Sequence, residues 1–113
     1  MNKNWKTLDK LEQINEIKKE SETRTVLIFK HSTRCSISGM AWDRLQRNWK
    51  AEDSEKLSPY YLDLIRYREI SNLIAKEFGV EHESPQAILI KNGVATYDTS
   101  HMGINYQEII SQA

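Results

Sequence analysis

Thr25-Val26-Leu27-Ile28-Phe29, followed by Thr33-Arg34-Cys35-Ser36-Ile37-Ser38-Gly39, decides the fold of this chain. The first run is continuous, apolar and β-branched, too short for a helix and without polar alternation, so it predicts a strand covered on both faces. It delivers the chain into a loop that carries Cys35, the only cysteine, and a helix-like stretch follows from Ser36 to about residue 50. A sulfur at the N-terminal edge of a helix meets unpaired backbone N–H groups and the positive end of the dipole, which favour thiolate over thiol. Arg34 adds a fixed positive charge beside it. A free cysteine can also serve as a small buried hydrophobe, but Thr33, Arg34 and Ser36 are too polar for a core run.

Outward from this segment the elements alternate. Leu8, Leu11, Ile14 and Ile17 form an earlier helical stripe running to about residue 20, with Thr7 or Asp9 as its cap. Trp42, Leu45 and Trp49 share one face of the helix after Cys35, opposite Asp43, Arg44, Arg47 and Lys50. Tryptophans among basic residues suggest a base-stacking surface, yet their helical spacing favours core packing. Residues 51–56 read as a charged loop, and Tyr60-Tyr61-Leu62-Asp63-Leu64-Ile65 as a strand with Pro59 at its start. Ile70, Leu73, Ile74 and Phe78 mark a helix over 69–78, closed by Gly79 in a left-handed cap. Two short strands, 86–91 and 94–99, flank Asn92-Gly93, a strong hairpin signal, and Tyr106, Ile109 and Ile110 mark a terminal helix. The order αβαβαββα predicts one α/β domain over residues 1–113, with a central mixed four-stranded sheet and helices on both faces.

Bulk properties narrow the function. Sixteen basic and sixteen acidic side chains cancel, which argues against a nucleic-acid partner. Residues 1–50 nevertheless hold eleven Lys or Arg against six Asp or Glu, so the Cys35 half is basic and suits an anionic small molecule as well as a plain solvated surface. A lone cysteine forms no internal disulfide, so any disulfide chemistry runs through a partner thiol. The opening Met1-Asn2-Lys3-Asn4-Trp5-Lys6 does not resemble a signal peptide, and no run approaches membrane-spanning length. The expectation is a cytoplasmic protein in a reducing compartment, with no membrane partner.

This order, with a cysteine after a strand and a proline before the final hairpin, resembles the thioredoxin fold across nearly the whole chain. More narrowly, Cys35-Ser36-Ile37-Ser38, His82-Glu83-Ser84-Pro85-Gln86 and Ser100-His101 together resemble the monothiol bacilliredoxins of the YtxJ type. Members of that family often have Pro where this chain has Ser36, and thioredoxins often have Trp at the position of Arg34. The resemblance implies that Ser38 stands where a Cys-x-x-Cys protein carries its resolving thiol, so that a mixed disulfide on Cys35 waits for an external thiol. Phe29 stands where thioredoxins carry the buried carboxylate that assists that thiol. Ser38 is then expected to donate a hydrogen bond to the Cys35 thiolate, or else to be a simple helix-surface serine. Pro85 matches the cis-proline position, which would leave the Ser84 backbone free to pair with a bound peptide or thiol. His101 falls near the same face, as a contact to the thiol cofactor or as a surface residue.

The activity this resemblance implies is removal of bacillithiol from bacillithiolated client proteins. Bacillithiol acts as co-substrate, no tightly bound cofactor is expected, and a separate bacillithiol disulfide reductase completes the cycle. A stabilised Cys35 thiolate gains little as a nucleophile, since reactivity falls with basicity, but departs readily when a small thiol attacks. Two other classes compete: a non-catalytic thioredoxin-like binding module, and an iron–sulfur carrier that shares Cys35 from two chains, disfavoured by the lack of a Cys-Gly-Phe-Ser pattern. Ala41 lies where the Cys-x5-Arg phosphate loop needs arginine, three scattered histidines do not suggest a metal cluster, and no Cys-His-Asn protease arrangement is signalled.

Overall fold

The computed structural model describes residues 5–113. Its elements are β1 (Lys6–Thr7), α1 (Gln13–Glu20), β2 (Thr25–His31), α2 (Ser36–Asn48), α3 (Asp53–Lys56), β3 (Leu57–Asp63), α4 (Arg68–Phe78), β4 (Gln86–Lys91), β5 (Val94–Ser100), a 3₁₀ turn (His101–Gly103) and α5 (Tyr106–Gln112). One mixed sheet has the order β1-β3-β2-β4-β5. At its centre β2 runs parallel to β3, from Thr25 opposite Leu57 to His31 opposite Asp63, and antiparallel to β4, from Val26 opposite Ile90 to Lys30 opposite Gln86.

The apolar run of β2 is covered on both sides, as its composition requires. Val26 and Ile28 pack with Ile14, Ile17, Ile70 and Ile74 of α1 and α4, and Leu27 and Phe29 pack with Trp42, Leu45 and Ile109 of α2 and α5. Trp5, Trp42 and Trp49 form an aromatic cluster with ring centroids 4.9 Å apart in the two Trp5 pairs. Trp42 in α2 and Trp49 at its C-cap are therefore core residues, and the base-stacking reading falls.

Four expectations change. The sheet has five strands, because Lys6–Thr7 pairs with Tyr60 and Tyr61, a contact too short to leave a periodic signal. Helix α1 consequently starts at Gln13, and Thr7 pairs in the sheet rather than capping a helix. Leu8 is buried and Leu11 is 45% exposed, so the stripe began in a loop. That loop is tied by the Gln13 amide, which accepts the Asp9 and Lys10 N–H groups at 2.8 Å and donates to the Thr7 carbonyl at 3.1 Å. Residues 51–56 include the one-turn helix α3, where the buried Asp53 carboxylate accepts the Lys50 N–H at 2.8 Å and the Tyr106 hydroxyl.

Pro59 lies inside β3 rather than at its start. The Leu8 N–H bonds to the Tyr61 carbonyl, so Tyr61 and, by alternation, Pro59 direct their backbone groups away from β2. There β1 pairs only with Tyr60 and Tyr61, and the missing N–H breaks no ladder. Gly79 closes α4 at φ 64°, and Asn92 and Gly93 turn the β4–β5 hairpin at φ 50° and 74°.

Candidate functional site

The site lies at the C-terminal end of β2, where its apolar run gives way to Lys30, His31 and Ser32, all buried. Cys35 follows as the N-cap residue of α2, with extended backbone at φ −111° and ψ 121°. Its N–H donates to the Ser32 carbonyl at 3.1 Å and its carbonyl accepts the Gly39 N–H at 3.0 Å, so the turn is closed on both sides of the residue. The side chain makes no capping bond, and the free, half-buried sulfur stands at the positive end of a thirteen-residue helix. Thr33, Arg34 and Ser36 are exposed beside it, and Arg34 has no ion-pair partner among the described residues.

Ser38 faces inward. Fully buried, its hydroxyl oxygen accepts the Ser32 N–H at 2.9 Å and lies 2.7 Å from His31 Nδ1. It is thus neither a surface serine nor, in this geometry, a donor to the sulfur; it staples the first turn of α2 to the end of β2. His31 is held by this bond and by the rings of Phe29, Trp42 and Tyr61, with centroids 5.7–6.4 Å away. Burial pushes its pKa down, against the opposing pull of Asp63 and Asp43, which favours the neutral ring.

The second wall is the segment before β4. The Ser84-Pro85 peptide bond is cis. Because Gln86 pairs with Lys30, Pro85 lies across from His31 at the same end of the sheet. Neither the N–H nor the carbonyl of Ser84 enters a backbone hydrogen bond among the described residues, and the buried Ser84 hydroxyl also lacks a partner there. The Pro85 carbonyl accepts the His101 N–H at 3.0 Å, and His101 Nε2 lies 3.6 Å from the Glu83 carboxylate. The 3₁₀ turn that carries His101 packs against α2, the helix that Cys35 caps. These two elements carry exposed apolar side chains: Ile37 and Met40 on α2, and Met102 in the turn, 72% exposed.

The expected residues therefore fall into two groups at one end of the sheet, Thr33 to Ser38 on one side and Ser84, Pro85 and His101 on the other. The sequence reading passed over His31, Lys30 and Gln86 as site residues. Buried Gln86 donates from Nε2 to the Glu81 carbonyl at 2.9 Å and accepts the Glu83 N–H at 3.4 Å, which shapes the segment before the cis bond. Lys30, fully buried, reaches the Ser71 carbonyl at 3.2 Å and His82 Nδ1 at 3.3 Å. A signal for both Lys30 and His31 was available: two polar residues continuing a strand already buried on both faces must themselves be buried and partnered. Among the described residues no cluster of three or more His, Cys, Asp or Glu is placed to hold a metal, and no helix is long and apolar enough to cross a membrane.

Residues 6–109 match the family model described as monothiol bacilliredoxin BrxC. Among solved structures, one described as a candidate oxidoreductase with a thioredoxin fold superposes with a TM-score of 0.83 at 30% identity, covering 97% of this chain and 94% of that one. The thioredoxin of Malassezia sympodialis superposes at 0.73 with 19% identity, covering 95% and 88%, and that of Fasciola hepatica at 0.69 with 15%, covering 94% and 93%. The two thioredoxins share the fold with this chain.

Proposed function

The chain belongs to the monothiol bacilliredoxin family, with a thioredoxin fold, and on that footing we propose that it removes bacillithiol from mixed disulfides on protein cysteines. The Cys35 thiolate attacks the bacillithiol sulfur of the client's mixed disulfide, and the client thiolate leaves and takes a proton from water. Cys35 is then itself joined to bacillithiol. The thiolate of a second bacillithiol attacks the bacillithiol sulfur of that adduct, which releases the Cys35 thiolate and bacillithiol disulfide for a separate reductase.

One observation carries this reading: the only thiol stands at the start of α2, while the hydroxyl of Ser38, one turn on, is committed to His31 and Ser32. No second sulfur is available to displace the adduct, so its release falls to an external thiol. Unpaired Arg34 supplies a cation for the malate carboxylates of bacillithiol, with Thr33, Ser36 and His101 as further polar contacts. The unused backbone groups of Ser84, before Pro85, suit an extended client segment.

The test is incubation with a bacillithiolated client and, in parallel, a glutathionylated one, followed by intact-mass spectrometry. The expected result is a bacillithiol adduct on Cys35 with little glutathione transfer, and loss of transfer in a folded Cys35→Ser variant. An adduct from neither client would favour the binding-module alternative.

A further inference from the structure

Lys30 is a fully buried cation with no carboxylate bonded to it among the described residues; its partners are the Ser71 carbonyl on α4 at 3.2 Å and His82 Nδ1 at 3.3 Å. Such a group is costly to bury, and nothing in the thiol exchange uses it directly. Its connections are specific, however. It joins β2, α4 and the segment that leads into Ser84-Pro85, and the Ser71 hydroxyl shares His82 Nδ1 at 3.3 Å. Gln86, paired with Lys30 across the sheet, holds the same segment from its other end through Glu81 and Glu83.

We infer that Lys30 is a positioning residue of the thiol-exchange site: its ammonium group fixes the tautomer of His82 and thereby pins the Glu81–Pro85 segment that presents the Ser84 backbone to a peptide disulfide. The reasoning is one of proton count. An ammonium group has only donors, so a ring nitrogen facing it must offer a lone pair; an N–H there would place two donors against each other. Nδ1 of His82 is therefore the acceptor, and the ring's proton sits on Nε2. A second proton on His82 would turn Nδ1 into a donor facing Lys30 and break the tie. The charges around the ring agree. Burial, Lys30 on β2 and Arg68 on α4 all disfavour the imidazolium, with Glu83 on the histidine's own segment the opposing charge.

The inference rests on the thiol-exchange reading for its functional consequence but not for its geometry, so two readouts are needed. The first is ¹⁵N NMR of the imidazole rings at neutral pH. His82 is expected as the Nε2–H tautomer in the wild-type protein, with loss of that single tautomer in Lys30→Met; an Nδ1–H tautomer in the wild type, or an unchanged ring in the variant, overturns it whatever the enzyme's substrate. The second compares alkylation of Cys35 by iodoacetamide, which reads the sulfur alone, with exchange against a bacillithiolated or glutathionylated peptide. Lys30→Met is expected to leave alkylation within about twofold and to slow peptide exchange at least tenfold, mainly through KM. Normalised to alkylation, wild-type exchange should fall as pH drops below 6.5, and His82→Asn should lose that dependence. Equal loss of alkylation and exchange, or full exchange in the variant, overturns the positioning role. If no peptide exchanges with wild-type protein while the NMR result holds, the function reading has failed and the tautomer assignment stands.

Discussion

The two faces of β2 end in opposite ways. On the α2 face His31 meets a hydroxyl at 2.7 Å, and that hydroxyl also takes the Ser32 N–H at 2.9 Å, so every group in the staple has a partner. On the α4 face Lys30 reaches two acceptors at longer range, 3.2 and 3.3 Å, and carries a charge that neither neutralises. Both clusters support the exchange site, His31 by anchoring the helix that holds Cys35 and Lys30 by tying the segment that carries Pro85. The difference teaches that a buried polar group can be either an asset or a cost to stability, according to whether its hydrogen bonds and its charge are both met.

The sharpest way to break the comparison is to remove the polar group from each face in turn. Burial holds Lys30 down to about 8 from 10.5, so at pH 7 the native state bears a protonated amine that it would rather not hold. Lys30→Met should therefore stabilise the fold at neutral pH, by about 2 to 3 kcal/mol once the lost bonds to Ser71 and His82 are set against the relieved charge, read from urea unfolding. The sign is checked by pH. At Lys30 the unfolded chain binds more protons than the native one between about 8 and 10.5, so the wild type should gain stability relative to the variant across that window. The raised hydroxyl pKa values of Tyr60, Tyr61 and Tyr106, each caused first by burial, act the other way in both proteins as the unfolded tyrosines lose their protons near pH 10, so the difference between the two curves is the readout. A wild-type curve without that gain over the variant would remove the asymmetry between the faces.

Ser38→Ala should do the reverse. It strands the Ser32 N–H and His31 Nδ1 in a buried place, for a loss of about 2 kcal/mol in the same unfolding measurement. Unchanged stability there would mean that the staple does not anchor α2.

A smaller effect is expected on the acid side. His31 and His82 are both held below the usual 6.5, in each case first by burial, so the unfolded chain takes up more protons as pH falls through that region. The melting temperature should drop below pH 6.5, and less so in His82→Asn. The smallest change belongs to the surface: His101 and Glu83 are about half exposed at 3.6 Å, and His101→Ala should cost less than about 0.5 kcal/mol.

Much of this was legible before the structure. The period-free run 25–29, the position of Cys35 before a helix, Gly79 and Asn92-Gly93 each express a local preference of the backbone or of a continuous apolar segment, and all hold in the fold. What failed was either too short to repeat, as in Lys6–Thr7 and Asp53–Lys56, or set by a side chain's bonds to nearby backbone, as in the loop tied by Gln13, which leave no periodic signal. The site divides in the same way. The placement of Cys35 between a strand and a helix was readable from residue order, because the apolar run before it and the helical spacing after it are both local signals. That the Ser38 hydroxyl turns inward to His31 and that Lys30 is buried against His82 depended on contacts across 7 and 52 residues of chain. Alternation along a strand fixes which side chains share a face; only the packed neighbours on that face decide whether a polar one among them finds a partner.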